Sequence, residues 1–394
     1  MDNTKQLNIE YFSLQSLFWM TYCMVVGFSV TYLLSCGYSN SEAGYILASA
    51  NICALILQPF FADLADCSKK INAMTIFLVS IEIIFVCSIG LFFIGVRSLI
   101  LTLIYVVMIT LANAVIAFLT SIQFLMDTSK SKINFGLCRA GGSLCFAILS
   151  ALMGIMIERI GMKSIPLALF IITLLIIGLC IFITRHSING NIKAVLTLEK
   201  KRSSSLFVFF KENLRFMILS IAMLFIYYAH AFITNFTISI VRNVGGNHRE
   251  MGYLIAFMAL MELPGMIGFK EISRRFKVSS LLLFSMIMFS IKAIIVWLSP
   301  SLMTLTFGFA LQVVSFAIYI PASVQYANII IDEKDTVKAQ MMFNLMQAGG
   351  AVFSSIIGGW LIDFSGISHA LLVGAILSCI GTMIAFAGIQ NTKR

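Results

Sequence analysis

A segment of this chain occurs twice, and the two copies lie 208 residues apart. Residues 41–48 read SEAGYILA, and residues 249–256 read REMGYLIA. Further identical residues share that offset: Ala140-Gly141-Gly142 with Ala348-Gly349-Gly350, Phe135 with Phe343, and Asp127 with Asp335. Self-similarity at one fixed offset indicates a repeat architecture and constrains the fold more than any local motif does. The sequence therefore predicts two homologous halves.

The composition places both halves in a membrane. Hydrophobic residues make up 60% of the chain and charged residues 11%, whereas soluble domains carry about 25% charged residues. A helix needs about 20 mostly apolar residues to cross the hydrocarbon core. Twelve such runs, numbered spans 1 to 12, lie near 11–35, 42–62, 71–94, 98–123, 135–157, 164–185, 212–241, 250–270, 278–298, 301–330, 337–362 and 367–389.

These runs predict an all-α membrane protein with twelve transmembrane helices in two homologous six-helix bundles. The expected division is an N-terminal bundle at 1–186, a cytoplasmic linker at 187–210 and a C-terminal bundle at 211–394. We expect the chain to be a monomer whose surroundings are the lipid bilayer.

The basic residues predict the orientation in the membrane. The loops on the side of the two termini carry 20 of the 27 Lys and Arg residues, whereas the opposite loops carry 5. Because basic residues accumulate in cytoplasmic loops, we expect both termini in the cytoplasm and the chain in the plasma (inner) membrane. The net charge of +10 then reflects orientation and the anionic leaflet, and no nucleic-acid partner is expected. The alternative for the run at 199–203 is a nucleic-acid or regulatory-lipid patch.

Several classes of function lack their motifs in this sequence. The nine cysteines are scattered without metal-ligand spacing and are interpreted as small hydrophobic residues of packed helices. The sequence contains no nucleotide-binding loop, hydrolase elbow, metal cluster or dinucleotide fingerprint. We therefore expect no enzyme activity, no catalytic residues, no metal site and no cofactor.

Three segments carry a resemblance to a known family. Residues 58–70 read QPFFADLADCSKK, residues 133–146 read INFGLCRAGGSLCF, and residues 261–265 read MELPG. They resemble, in order, a cytoplasmic loop motif, a substrate-binding segment on helix 5 and a Glu-x-Pro signature on helix 8. The family with these motifs is the major facilitator superfamily, and the resemblance is to its lactose permease group of proton-coupled symporters and their nucleoside and aromatic-acid relatives.

The resemblance implies the major facilitator fold and several residue roles. Asp66, Lys69 and Lys70 match the loop motif and are expected to act as a conformational gate, although Ala62 replaces the usual Gly. Arg139 and Phe146 match a substrate-binding Arg and its aromatic neighbour.

Other positions depart from the pattern of lactose permease. Its coupling His and Glu on helix 10 are Gln312 and Ser315 here, and span 11 contains no lysine beyond Lys338 at its start. Its substrate-binding Glu on helix 4 falls at or near Ser121, beside Gln123. The coupling chemistry of lactose permease therefore does not transfer to this chain.

Ionisable residues inside spans are costly, at least about 2.5–3.5 kcal/mol each, and so indicate a partner or a function. The planar guanidinium of Arg139 can donate two parallel hydrogen bonds to vicinal hydroxyls or to a carboxylate of a substrate. The alternative is that the Arg139 side chain extends to the membrane interface, so that its charge stays in water. Glu262 is interpreted as the proton carrier, or else as a permanently paired structural carboxylate. His230 is a proton relay or a packing residue. Glu82 and Lys292 are charge-pair candidates for which a structural role is slightly favoured.

Uncharged amides on spans 4, 7 and 10 complete the predicted site. The substrate-binding candidates besides Arg139 and Phe146 are Asn113, Gln123, Asn235 and Gln312, and Gln325 and Asn328 lie nearby in sequence. As a set they suit a polyhydroxylated or heterocyclic neutral solute, whereas any one alone could serve as a hydrogen bond between helices.

The sequence and the resemblance together predict a secondary active importer. Its substrate would be a small polar solute such as a sugar or nucleoside, coupled to protons through alternating access. One alternative is a drug or metabolite exporter of the same fold, which the absence of Pro between Phe135 and Glu158 disfavours. The alternative from another class is a non-transporting membrane sensor or scaffold.

Overall fold

A computed structural model describes residues 3–67, 71–127, 133–185, 206–332 and 335–392 of the chain. These residues form helices and connecting turns, with no strand among them. Ten helices of the described residues are long and apolar enough to cross a membrane, and the number is twelve when each of two bent helix pairs counts as one span. The all-α membrane fold with twelve spans is thus confirmed.

The contacts divide the chain into two compact units, Met1–Leu198 and Glu199–Arg394. Spans 1 to 6 of the first unit are Asn3–Tyr22 with Cys23–Gly27 and Ser29–Ser35, then Asn40–Cys67, Ala73–Phe93, Leu99–Ala114 with Ile116–Met126, Phe135–Ile160 and Ser164–Ile183. Spans 7 to 12 of the second unit are Leu214–Asn235 with Thr237–Asn243, then His248–Arg275, Val278–Trp297, Leu302–Ala310 with Leu311–Val313 and Phe316–Ile330, Thr336–Phe353 with Ser354–Gly358 and Gly359–Ser365, and Ile367–Gly388. A short helix, Leu206–Glu212, precedes span 7. The predicted linker lies mostly outside the described residues, and its boundaries stay a prediction.

Polar side chains begin several of these helices. The side chains of Asn72, Ser98 and Asn134 accept hydrogen bonds from backbone N–H groups three residues later, at the starts of spans 3, 4 and 5. Asn247 and Glu250 form a reciprocal capping box at the start of span 8. Such caps satisfy backbone N–H groups that the first turn of a helix leaves without intrahelical partners.

Spans 1, 4, 7 and 10 are each interrupted within their length. Span 1 contains a π-helical turn and bends by 42°, and span 4 bends by 43° at Val115. The break of span 7 falls at Phe236, 208 residues after Phe28 in the break of span 1. The φ angles of these two residues are −105° and −106°. The repeat therefore extends to the backbone conformation at these breaks.

The bend of span 4 has a side-chain cause. Gln58 Nε2, on span 2, donates a 3.1 Å hydrogen bond to the backbone carbonyl of Asn113, two residues before the break. A side chain that inserts into the backbone hydrogen-bond ladder is a common origin of sharp kinks. Span 4 has neither Gly nor Pro at this point, so the sequence of the span alone does not indicate the bend.

The repeated Ala-Gly-Gly segment packs its helices closely in both units. A Cβ atom on Gly142 of span 5 would lie 2.6 Å from Cδ1 of Trp19 on span 1. A Cβ atom on Gly350 of span 11 would lie 2.6 Å from the backbone oxygen of Leu224 on span 7. Small residues at such positions let helix backbones approach within a membrane. The repeat is thus explained by the same helix pairing in each half.

We expect Gly350→Ala to destabilise the protein and Gly349→Ala to have little effect. The added methyl group at Gly350 meets backbone atoms that cannot rotate away, and overpacking of this kind costs about 1–3 kcal/mol. At Gly349 the nearest atom to an added Cβ is a side-chain carbon of Leu224 at 3.4 Å, an ordinary contact. Thermal unfolding of the two purified variants in detergent measures the difference, and equal midpoints would contradict the packing argument.

Candidate functional site

Arg139 of span 5 lies against an aromatic side chain of span 1. Its guanidinium carbon is 4.0 Å from the centroid of the Trp19 ring, and its Nη1 donates a 2.8 Å hydrogen bond to Ser143 Oγ. A guanidinium over an indole face is held by a cation–π interaction, which strengthens as water is excluded. The side chain is half-buried, and these contacts hold the guanidinium within the helix bundle of the first unit.

A chain of hydrogen bonds fixes the Trp19 ring. Trp19 Nε1 donates to Gln15 Oε1 at 3.1 Å, and Gln15 Nε2 donates to Tyr11 Oη at 2.8 Å. The Tyr11 hydroxyl in turn donates to the backbone oxygen of Leu119 at 2.9 Å. Tyr11 and Gln15 are buried, so this series of hydrogen bonds holds the indole of Trp19 in a fixed orientation. Sequence reasoning missed Trp19, although the spacing of four residues between Tyr11, Gln15 and Trp19 is a recognisable signal.

Aromatic contacts connect Arg139 to the predicted amide Asn113. The rings of Trp19 and Tyr22 lie 5.2 Å apart. Tyr22 Oη donates to Asn113 Oδ1 at 2.9 Å, and Asn113 Nδ2 donates to Asn51 Oδ1 at 2.9 Å. The structure therefore joins Arg139 and Asn113 in one cluster, with Trp19 and Tyr22 between them. Asn113 also holds spans 1, 2 and 4 together through these bonds.

The remaining described candidates of the first unit lie on spans 2 to 5. Phe146 is half-buried, and its Cζ lies 3.8 Å from the position of a Cβ on Gly27, in the π-helical turn of span 1. Gln123 is half-buried near the end of span 4. Glu82 is exposed on span 3. Asp66 lies near the C-terminal end of span 2, and Lys69 and Lys70 lie outside the described residues.

The second unit contains a buried chain of polar side chains from three spans. Lys292 Nζ donates to Gln312 Oε1 at 2.6 Å, and Gln312 Nε2 donates to Glu262 Oε1 at 2.9 Å. Lys292 and Gln312 are each 1% exposed, and Glu262 is half-buried. Gln312 lies in the short 3₁₀ segment that interrupts span 10. Gln312, predicted to bind substrate, therefore bridges Glu262 and Lys292. These two residues were predicted separately, Glu262 as a proton carrier and Lys292 as a member of a charge pair.

His230 of span 7 contacts Phe289 of span 9 and Phe316 of span 10, which lie three and four residues from Lys292 and Gln312 in the sequence. Its ring stacks on Phe316 with centroids 5.0 Å apart and meets the edge of Phe289 at 5.3 Å. Its Nδ1 is buried and makes no hydrogen bond to any described residue. The imidazole thus combines a tightly packed position with one buried ring nitrogen that no described group satisfies.

The other second-unit amides have different neighbours. Asn235 Nδ2 donates to Ser355 Oγ at 3.1 Å and so connects span 7 to span 11. Gln325 and Asn328 are exposed, and Asn328 Oδ1 accepts from Gln340 Nε2 at 3.1 Å. Gln347 of span 11 donates to the Tyr319 hydroxyl at 3.1 Å. Of the predicted second-unit residues, Glu262, Lys292, Gln312 and His230 come together, whereas Asn235 makes a separate contact between helices.

Comparisons with known proteins agree with this architecture. A family model described as MFS_1 like family matches residues 7–373. The chain belongs to this family of the major facilitator superfamily. The expected family is therefore confirmed, and the protein is a secondary transporter embedded in a membrane by many helices.

The relatives of known structure or function that resemble this chain are distant from it in sequence. The chain is similar to a maltose permease of Geobacillus stearothermophilus, with 21% identity over 88% of this chain and 85% of that protein. A mutant of the nucleoside transporter NupG superposes with a TM-score of 0.80 at 16% identity, covering 98% of this chain and 99% of the other. A POT family peptide transporter superposes with a TM-score of 0.79 at 9% identity, covering 97% and 96%. At these identities the solved structures establish the shared fold.

Proposed function

We propose that this protein imports a small polar solute, a sugar or a nucleoside, by proton-coupled alternating access. The observation that carries the proposal is the Lys292–Gln312–Glu262 chain in the interior of the second unit. Ionisable groups inside membrane spans are costly and commonly mark ion pathways. Glu262 is the proposed proton carrier, and His230 is the second proton-binding candidate.

The cluster around Arg139 is the proposed substrate site of the first unit. The guanidinium supplies directional hydrogen bonds in its plane, and the nearby Trp19 and Tyr22 rings supply apolar faces for a sugar ring or a base. The kinship with a maltose permease and the likeness to a nucleoside transporter support this choice of solute class. Phe146, Asn113, Gln123, Asn235 and Gln312 remain proposed contributors to the substrate route.

The proposal extends to topology and gating. The distribution of basic residues supports cytoplasmic termini in a plasma membrane. Asp66, Lys69 and Lys70 are the proposed cytoplasmic gate, and the protein is proposed to act as a monomer.

Uptake of radiolabelled solutes into cells that express the chain tests the proposal. The panel comprises sugars, nucleosides and small aromatic acids, each measured with and without a protonophore. We expect one class to accumulate in a protonophore-sensitive manner. Accumulation that a sodium ionophore abolishes and a protonophore spares would reject proton coupling. Net efflux without uptake would favour the exporter.

A further inference from the structure

A series of hydrogen bonds begins at the Tyr22 hydroxyl and ends at a backbone carbonyl. Tyr22 Oη donates to Asn113 Oδ1 at 2.9 Å, and Asn113 Nδ2 donates to Asn51 Oδ1 at 2.9 Å. Asn51 Nδ2 then donates to the backbone oxygen of Leu47 at 2.9 Å. The series therefore connects span 1 through span 4 to span 2, all within the first unit.

The Leu47 carbonyl fixes the direction of every bond in this series. A carbonyl oxygen only accepts hydrogen bonds, so the end of the Asn51 amide that faces it must be the NH2 group. The Asn51 oxygen consequently faces Asn113 and accepts from its NH2 group. The Asn113 oxygen then faces Tyr22 and needs a donor, which the phenol supplies. A reversed amide at either asparagine would set two acceptors against each other.

Span 2 also holds the backbone of span 4 at this point. Gln58 Nε2 donates to the Asn113 carbonyl at 3.1 Å, and Thr110 Oγ1 donates to the Ala50 carbonyl at 3.1 Å. Asn51 and Gln58 are seven residues apart, about two helical turns, and so lie on one face of span 2. Because this face binds both the side chain and the backbone of Asn113, the amide is held in the orientation that the series requires.

The consequence at Tyr22 is a hydroxyl group whose hydrogen is already used. A phenol has one hydrogen to donate and lone pairs that accept. The Tyr22 hydrogen is directed to Asn113, and the hydroxyl makes no other hydrogen bond to a described residue. Tyr22 is half-buried, and its ring lies 5.2 Å from the Trp19 ring, against which the Arg139 guanidinium packs. The group that Tyr22 offers to a solute is therefore an acceptor.

The neighbouring indole is committed in the same way. The Trp19 N–H donates to Gln15, which donates through the Tyr11 hydroxyl to the backbone carbonyl of Leu119. An indole nitrogen has one hydrogen and does not accept. Trp19 therefore offers a solute only the face of its ring. Of the two aromatic side chains, Tyr22 alone retains a polar function, which is the acceptor on its oxygen.

We propose that Tyr22 is a specificity-determining residue of the proposed substrate site, whose oxygen accepts a hydrogen bond from a hydroxyl or N–H group of the solute. A solute with only an acceptor at this position, such as an ether oxygen or a carboxylate, would face lone pairs and leave both groups unsatisfied. Sugars and nucleosides carry hydroxyl groups that supply the required donor. The inference rests on the proposed function, in which the cluster around Arg139 binds a sugar or a nucleoside.

Equilibrium binding to the purified protein in detergent tests this assignment. The probes are maltose and uridine, together with derivatives of each in which one hydroxyl group at a time is replaced by fluorine. Fluorine is close to a hydroxyl group in size and cannot donate a hydrogen bond. The variant is Tyr22→Phe, and Tyr45→Phe is the matched control, because Tyr45 is exposed on span 2. Size-exclusion profiles and thermal midpoints establish that each variant is folded.

We expect fluorine at one position of the solute to weaken binding to the unmodified protein by about three- to tenfold, the effect of one neutral hydrogen bond. In Tyr22→Phe the parent solute should bind more weakly by a similar factor, and the penalty for fluorine at that position should disappear, since residue and hydroxyl group act on each other. Tyr45→Phe should behave like the unmodified protein. If Tyr22→Phe retains the full penalty at every position, the inference is overturned.

A second variant, Asn51→Leu, tests the direction of the series. It removes the donor to Leu47 and the acceptor for Asn113, so that the Asn113 amide can turn its NH2 group toward Tyr22 and release the phenol hydrogen. The probe is the methyl ether of the same solute hydroxyl, which accepts but cannot donate. Asn51→Leu should bind it more tightly, relative to the parent solute, by about threefold or more. An unchanged ratio would show that the series does not set the polarity of Tyr22.

The two levels of the argument fail in different ways. If the unmodified protein binds neither maltose nor uridine, the proposed solute class fails and the inference fails with it. If the unmodified protein binds one of them and Tyr22→Phe leaves every fluorine penalty unchanged, the proposed function stands and only the role of Tyr22 is rejected.

Discussion

Glu262→Gln should exchange substrate across the membrane and fail to concentrate it. The amide mimics the protonated carboxyl group, and its oxygen can still accept the hydrogen bond that Gln312 now donates to Glu262 at 2.9 Å. Substrate affinity should therefore change by less than about tenfold, which corresponds to about 1.4 kcal/mol. Steady-state accumulation should fall to the equilibrium level, because no proton is taken up and released to drive the cycle.

Two assays on the same vesicles measure the separate effects. Counterflow reports binding and exchange, and uptake under an imposed proton gradient reports coupling. The matched control is Glu271→Gln, which removes an exposed carboxylate that pairs with Arg274 at the end of the same span. We expect this control to accumulate substrate normally. Protonophore-sensitive accumulation by Glu262→Gln would show that Glu262 is not the carrier, and His230 would become the next candidate.

Arg139→Lys should weaken substrate binding nearly as much as Arg139→Ala. A lysine ammonium is a point charge, so it cannot reproduce two hydrogen bonds in one plane, and it loses the flat contact with the Trp19 ring at 4.0 Å. Loss of one hydrogen bond to a charged group costs about 1.5–3 kcal/mol, so we expect the Kd to rise about tenfold to a hundredfold. Equilibrium binding to the purified variants measures this change.

The control for Arg139 is the same substitution elsewhere on span 5. Arg159 is exposed near the other end of that helix, and Arg159→Lys should leave the Kd unchanged. A further variant, Trp19→Phe, keeps an aromatic face and removes the Nε1 donor to Gln15. It should weaken binding less than Arg139→Lys does. Near-normal binding by Arg139→Lys would favour the snorkelling alternative, in which the guanidinium serves the membrane interface.

The positions of the spans could be read from the sequence because the bilayer imposes a simple rule. Backbone polar groups in hydrocarbon must be satisfied within the chain, so each apolar run of sufficient length forms a helix. The run near 278–298, for example, is the helix Val278–Trp297. The repeat at a fixed offset added the division into two halves of like construction. The family resemblance of the segments around Asp66, Arg139 and Glu262 was likewise visible in the sequence, and the family is confirmed.

The candidate site could be predicted only in part. Arg139, Glu262, His230 and Lys292 stand out in sequence because charged or titratable residues are rare inside apolar spans. Trp19 does not stand out, because an aromatic residue in an apolar span is ordinary. Its importance comes from a contact with a residue 120 positions later. Contacts over such separations depend on how helices pair, which local pattern does not specify.

The sequence by itself thus determined the membrane class, the two halves, the spans and the set of costly buried residues, since hydrophobicity, spacing and charge are properties of the chain alone. Tertiary structure alone decided how these residues are combined. It placed Gln312 between Lys292 and Glu262, so that a residue expected to contact substrate bridges an ion pair. It also bent span 4 through the hydrogen bond from Gln58 to the Asn113 carbonyl. In both cases the partners come from different helices, and only helix packing fixes the distances over which their hydrogen bonds form.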